Sequence, residues 1–165
     1  GAAGEGIDFS NADDTAANET TTNSILNDYE VGTFTAAFDV ATQTIDISSS
    51  YDLLSYTKIG DVVHIFGQLV VSAISSPEGA TTLALPFTSA NLADIGAVAT
   101  QPGICYLNGS AITNGNFLTM MTLEENVALS RIFFVDAGTS STENLGDDHS
   151  GVGTDYFINL TYKAA

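Results

Sequence analysis

Apolar and polar residues alternate along much of the chain after residue 28, which is the two-residue period of a β-strand with unlike faces. In the last such segment, every even-numbered position from Tyr156 to Tyr162 is large and apolar. Residues 62–73 form the longest run and are apolar on both faces, which predicts a central strand covered on both sides. No segment keeps the i, i+3, i+4, i+7 spacing of an amphipathic helix over ten residues.

Turn-forming residues separate these runs. Gly60-Asp61 and Asn114-Gly115 are hairpin dipeptides, and residues 75–79 and 124–126 are further turn candidates. A strand is also predicted from Thr33 onward, with Phe34, Ala36, Phe38 and Val40 on one face. About nine or ten short strands with frequent turns predict an all-β fold, an antiparallel β-sandwich of jelly-roll type.

The chain divides by composition at residue 28. Residues 1–27 are rich in Asn, Asp, Ser and Thr, which favour turns and extended chain over helix. We expect them to form an extended N-terminal connector, and residues 28–165 to form the β-sandwich domain. The first residues lack the positive charge and apolar stretch of a secretory signal, so they are interpreted as a cut from a longer polypeptide.

The charge balance excludes several classes of partner. Twenty Asp and Glu face three Lys and Arg, for a net charge of −17. Such a chain lacks the basic surface that binds phosphates, which argues against nucleic acid and against anionic lipid. No stretch is apolar enough to insert in a membrane. Self-repulsion on this scale favours a saline, extracellular medium, although the charge could also serve solubility alone.

Candidate catalytic residues are few. Cys105 is the single cysteine and lies between apolar neighbours, as expected of a small buried hydrophobe rather than a nucleophile. His64 lies within the longest strand, where local hydrogen bonding or a subunit contact is the simpler explanation. The sequence lacks the Gly-x-Ser-x-Gly motif that carries the nucleophile of many serine hydrolases. Because the chain has twenty Asp and Glu residues, pairs of carboxylates that resemble a glycosidase site are expected by chance. We therefore expect no enzyme activity and no cofactor.

The loop of residues 136–155 contains Asp147, Asp148 and His149, with Asp136, Glu143 and Asp155 nearby. Oxygen ligands in an irregular loop suit calcium, but the spacing of a dedicated calcium loop is missing. A solvated acidic loop is the alternative, so no metal ligands are assigned. The sequence leaves open whether a cation binds there.

Three motifs together suggest a family. They are Asp-Tyr-Glu-Val-Gly-Thr-Phe-Thr at residues 28–35, Tyr-Thr-Lys-Ile-Gly at residues 56–60 and Leu-Pro-Phe at residues 85–87. This set resembles the C-terminal β-sandwich module of bacteriophage tail-fibre and related virion proteins. The chain departs from that pattern at Ala36, where a proline is usual, which leaves the opening strand in doubt.

The resemblance implies a virion structural protein whose β-sandwich assembles as a homotrimer at a fibre or spike tip, in a tail fibre rather than on the capsid surface. Other virion proteins would bind through the N-terminal segment, and a host surface glycan or protein would bind the loops. The family motifs carry no receptor-contacting residues, so the receptor-contact candidates come from polar loop positions. These are Asn108, Ser110, Asn114, Asn116, Asn144, Asp147, Asp148 and His149.

Three functions compete on the sequence. The first is an adhesin, the distal domain of a tail fibre or spike that contributes to host-cell attachment. The second is a capsid-decorating or trimerisation knob without a receptor ligand. The third, and most remote, is a polysaccharide-degrading enzyme.

Overall fold

The computed structural model describes residues 7–8, 25–26, 28–77, 80–91, 103–109, 117–123, 126–133 and 151–165. All regular elements in these ranges are β-strands. They are β1 Ile7–Asp8, β2 Ile25–Leu26, β3 Tyr29–Thr35, β4 Phe38–Asp39, β5 Ile45–Ile47, β6 Leu53–Ile59, β7 Val62–Ile74, β8 Thr82–Ala84, β9 Gly103–Asn108, β10 Phe117–Leu123, β11 Leu129–Phe133 and β12 Asp155–Lys163.

Ten of these strands form one antiparallel sheet, in the order β3-β6-β7-β12-β9-β10-β11-β8-β4. The remaining strand, β5, pairs with the second half of β7, beyond the point where β6 ends. Strands β1 and β2 pair with each other in a separate two-stranded sheet. The predicted all-β, antiparallel fold is therefore confirmed, whereas the domain division at residue 28 stays a prediction.

The predicted hairpins position the central strands. Gly60-Asp61 closes a two-residue turn between Ile59 and Val62, and Gly60 has a positive φ of 59°, as a turn with glycine in its first central position requires. Strand β9 pairs with β10 and β10 with β11, so the turn signals at residues 114–115 and 124–126 separate neighbouring antiparallel strands.

The far end of the sheet folds back over the middle, and the core lies between the two layers. The Phe38 ring of β4 lies 4.8 Å from the Tyr156 ring of β12, although four strands (β9, β10, β11 and β8) lie between β12 and β4 in the sheet order. The even-numbered residues of β12 from Tyr156 to Tyr162 are buried with Leu83 of β8. The predicted inward face of β12 is therefore the centre of the core.

Two sequence expectations need correction. The predicted continuous strand from Thr33 to Val40 is broken, because the Ala36 N–H donates to the Asp52 carbonyl oxygen at 2.7 Å and the chain then enters β4 in the other layer. The prediction that β7 is covered on both faces is wrong for the chain alone. Val63 and Ile65 are fully buried, but Val62 and Phe66 on the opposite face are 46% and 48% exposed.

Candidate functional site

Two of the three family motifs form neighbouring strands. Residues 28–35 lead through β3, which pairs with β6 so that Glu30 lies opposite Lys58 and Gly32 opposite Tyr56. The Lys58 ammonium forms an ion pair with Asp28, and the Tyr56 hydroxyl donates to the Glu30 carboxylate, which raises the pKa of Tyr56. A Cβ at Gly32 would lie 2.9 Å from the Tyr56 hydroxyl oxygen, so only glycine leaves room for this ring.

The third motif completes the same cluster. The Phe87 ring meets the Tyr56 ring edge-on at 5.3 Å, and the Lys58 Nζ lies 5.7 Å from the Phe87 ring centre. The Phe87 carbonyl oxygen accepts a 3.0 Å hydrogen bond from the Tyr162 hydroxyl, while burial raises the pKa of Tyr162 to about 12. We name Asp28, Glu30, Tyr56, Lys58 and Phe87 the motif cluster; its residues hold strands and layers together.

Removal of the Lys58 charge tests this structural role. The Lys58 side chain is only 13% exposed, so Lys58→Met is expected to lower the free energy of unfolding by about 1–3 kcal/mol, since it leaves Asp28 unpaired and loses the contact with the Phe87 ring. Lys163→Met is the control, because the Lys163–Asp61 ion pair at 3.0 Å is half exposed on both sides and should contribute about 0–1 kcal/mol. Urea unfolding measures both, and equal losses would contradict the assigned role.

One face of the sheet carries most of the exposed apolar surface. The described residues include eleven large hydrophobic side chains that are exposed, and nine of them lie on the outward side of β3, β6, β7, β12 and β9. We name this side the outer face. Its nine members are Tyr29, Val31, Leu53, Ile59, Val62, Phe66, Ile104, Tyr106 and Phe157.

His64 lies on the outer face, where it contacts its strand neighbours. Its Nδ1 lies 2.9 Å from the Thr161 hydroxyl, and its ring stacks on Phe66 with 5.7 Å between ring centres. Cys105 lies on the opposite side of β9, where it is fully buried, and burial raises the pKa of its thiol. The two residues thus lie on opposite sides of the sheet, with Cys105 in the core and His64 on the outer face.

A cleft of about 650 Å³, lined by both polar and apolar residues, lies where the chain crosses from β3 to β4 and β5. Its lining includes the carboxylates of Asp39, Asp46 and Asp52 and the side chains of Gln43 and Thr44. Carboxylates and amides in an open cleft can hydrogen-bond sugar hydroxyls. Sequence reasoning missed this cleft, because its residues come from separate segments and share no recognisable spacing.

The described residues test little of the predicted receptor-contact set. Asn108 lies at the end of β9, where its Nδ2 donates to Asp155 Oδ2 at 3.2 Å, and Gln68 Nε2 donates to the other oxygen of the same carboxylate at 3.1 Å. The remaining candidates, Ser110, Asn114, Asn116, Asn144, Asp147, Asp148 and His149, lie outside the described residues. Their role stays a prediction.

The described ranges show neither a metal-binding cluster nor a membrane-spanning helix. No three His, Cys, Asp or Glu side chains of this part of the chain come together in an arrangement that could hold a metal ion. Among the same residues, no helix has the length and hydropathy needed to cross a bilayer.

Comparison with known proteins gives one informative likeness. No protein-family model matches the chain, and no curated protein matches it. Among solved structures, the crystal structure of the Dettilon tailspike protein is similar, with a TM-score of 0.64 and 18% sequence identity over 83% of this chain. The match covers 24% of the tailspike chain. The fold of this chain thus recurs in about a quarter of that tailspike.

Proposed function

We propose that this chain is a structural domain of a bacteriophage tail protein, part of a tail fibre or spike in the extracellular virion, where it forms a homotrimer and contributes to host-cell attachment. The observation that carries the proposal is the fold shared with a tailspike over 83% of the chain. The resemblance of residues 28–87 to tail-fibre modules supports it separately, because its three motifs meet in the motif cluster of that same fold.

Attachment requires a surface that can bind the host. The cleft between β3, β4 and β5 is the strongest candidate in the described part of the chain; its carboxylates and amide suit the hydroxyls of a ligand such as a surface glycan, and its apolar residues suit the faces of the sugar rings. The loops that contain Asn114 and Asp147 are further candidates, which the sequence alone supports. A host protein remains the alternative ligand for the same surfaces.

We further propose that the domain acts without catalysis. The candidate nucleophile Cys105 is buried with a raised thiol pKa, and the candidate base His64 is engaged with Thr161 and Phe66. Release of reducing ends from host capsule by the purified chain, abolished by a single carboxylate substitution, would overturn this part and revive the polysaccharide-degrading alternative.

Location on the virion tests the central proposal. Gold-labelled antibodies raised against the purified chain are expected to decorate the tail of the phage that encodes it when virions are viewed by electron microscopy. Labelling of the capsid would instead favour a decorating knob, and intact virions without label would overturn a virion role. An unrelated antibody of the same class controls for adsorption of gold.

A competition experiment tests the proposed role in host-cell attachment. The purified chain should compete with the phage for adsorption to susceptible cells, and a double variant of the cleft, Asp39→Ala with Asp46→Ala, should lose this competition. Asp61→Ala is the control, because Asp61 is exposed in the β6–β7 turn, away from the cleft lining. Wild-type protein that fails to compete would restrict the domain to a structural role.

A further inference from the structure

We propose that the outer face is the surface through which copies of this chain meet, with three such faces turned toward a common axis. The inference rests on the homotrimer of the proposed function and adds which surface becomes buried and which residues bury it. Its occupant is therefore the same face of the other two copies, and not a ligand or a membrane.

The first argument is the distribution of apolar surface. Outside the outer face, only Tyr51 and Val152 are large exposed hydrophobics among the residues whose side chains are described, a set that leaves out residues 7–8, 25–26, 117–122 and 131–133. Single apolar side chains scattered over a surface need no explanation, whereas a concentration of nine on one face marks an interaction surface. The face is also built on the regular pairing of five strands, so its side chains are held in rows rather than on movable loops.

The second argument is that the strand register places apolar residues of neighbouring strands side by side. The strand register places Tyr29, Ile59 and Val62 in one row across three strands. Another row runs from Phe66 through Asn159 to Ile104, and the neighbouring Tyr106 and Phe157 rings lie 5.8 Å apart. The two rows lie on either side of the row of Val31, Thr57, His64 and Thr161, so one partner surface laid on this side of the sheet would contact both.

The third argument is charge, and it identifies the occupant. Every copy carries a net charge of −17, so a surface that meets other copies must be nearly free of carboxylates. Within the described part of the outer face, the one carboxylate belongs to Asp155, at one end of β12, and it accepts hydrogen bonds from Gln68 and Asn108. Lys163, at the other end of β12, pairs with Asp61.

Between those two ends the described face presents no Asp, Glu, Lys or Arg side chain. One register row consists of Val31, Thr57, His64 and Thr161, and the hydroxyls in it can donate or accept across an axis without like-charge repulsion. By contrast, Asp39, Asp46 and Asp52 line the cleft and belong to none of these register rows. Apart from Asp155, no carboxylate of the described residues belongs to the outward register rows of this face.

The test introduces one negative charge at the centre of the face. Phe66→Glu and, separately, Ile104→Glu are compared with Val152→Glu, which adds the same charge at a 61% exposed valine outside the face. Light scattering should give wild type and Val152→Glu a mass near three times 17.1 kDa, and both face variants a mass near 17.1 kDa. Circular dichroism should show the wild-type strand content in all four proteins, since Phe66 and Ile104 are both about half exposed.

Two results would overturn the inference, and they differ in what else they affect. A trimer that persists in both face variants would place the subunit contact elsewhere and leave the proposed function intact. A wild-type chain with a mass of 17.1 kDa would overturn the homotrimer as well as this inference. If a dye specific for apolar surface then bound the wild type but not Phe66→Glu, the outer face would be assigned to another protein or segment. Antibody labelling of the tail is independent of both results.

Discussion

Leu160→Ala is expected to lower the free energy of unfolding by about 2–5 kcal/mol, because truncation of a fully buried leucine loses apolar burial and leaves a cavity. Leu160 lies in the middle of β12, which pairs with β7 on one side and with β9 on the other. Its Cδ1 lies 2.6 Å from the position that a Cβ on Gly103 would occupy, so the site is tightly packed. Little room exists for the surroundings to collapse into the cavity.

Urea unfolding followed by circular dichroism measures this loss at one fixed protein concentration, since oligomers unfold in a concentration-dependent way. Val152→Ala is the matched control: Val152 is 61% exposed outside the outer face, and its truncation should change the free energy of unfolding by less than about 0.5 kcal/mol. If Leu160→Ala cost no more than Val152→Ala, β12 would not be the centre of the core.

Gly67→Ala is expected to lower the free energy of unfolding by about 2–4 kcal/mol, because two penalties act at one position. Gly67 lies in the middle of β7 with a φ of 149°, which residues with a Cβ rarely adopt. In addition, a Cβ there would lie 2.8 Å from Leu54 Cδ2, and Leu54 is fully buried. The leucine can move only at the expense of the core around it.

Gly60→Ala separates the two penalties. Gly60 also has a positive φ, but a Cβ there would meet nothing within 4 Å, so only the backbone strain of about 1–2 kcal/mol applies. Thermal and urea unfolding of both variants under the same conditions give the difference. A Gly67→Ala loss equal to or below the Gly60→Ala loss would show that Leu54 does not constrain β7.

Much of the strand content followed from sequence patterns because it depends on local chemistry. The alternation in β12 correctly predicted which side faces the core, and Gly60-Asp61 correctly predicted the β6–β7 turn. The strand predicted through Ala36 failed because no local signal marks the crossing between layers. That crossing depends on the hydrogen bond from Ala36 to Asp52, a partner sixteen residues away along the chain.

The candidate sites were less accessible to sequence reasoning. The residues that line the cleft share neither a motif nor a spacing in the sequence. Only the folding of β3, β4 and β5 brings Asp39, Asp46 and Asp52 to the same cleft. The three family motifs could be recognised in the sequence, but the contacts that their residues make could not be predicted from it. Tyr56, Lys58 and Phe87 became a packed cluster only when strands from distant segments paired.

The sequence by itself determined the strand class, the apolar face of β12 and a net charge of −17, because these depend on residue type and two-residue period alone. The tertiary structure decided which apolar faces are covered. Two sides of β7 look equally apolar in sequence, yet only the side of Val63 and Ile65 meets the second layer, while Phe66 faces outward. Layer packing depends on contacts between distant strands, and no local pattern encodes which face those strands will cover.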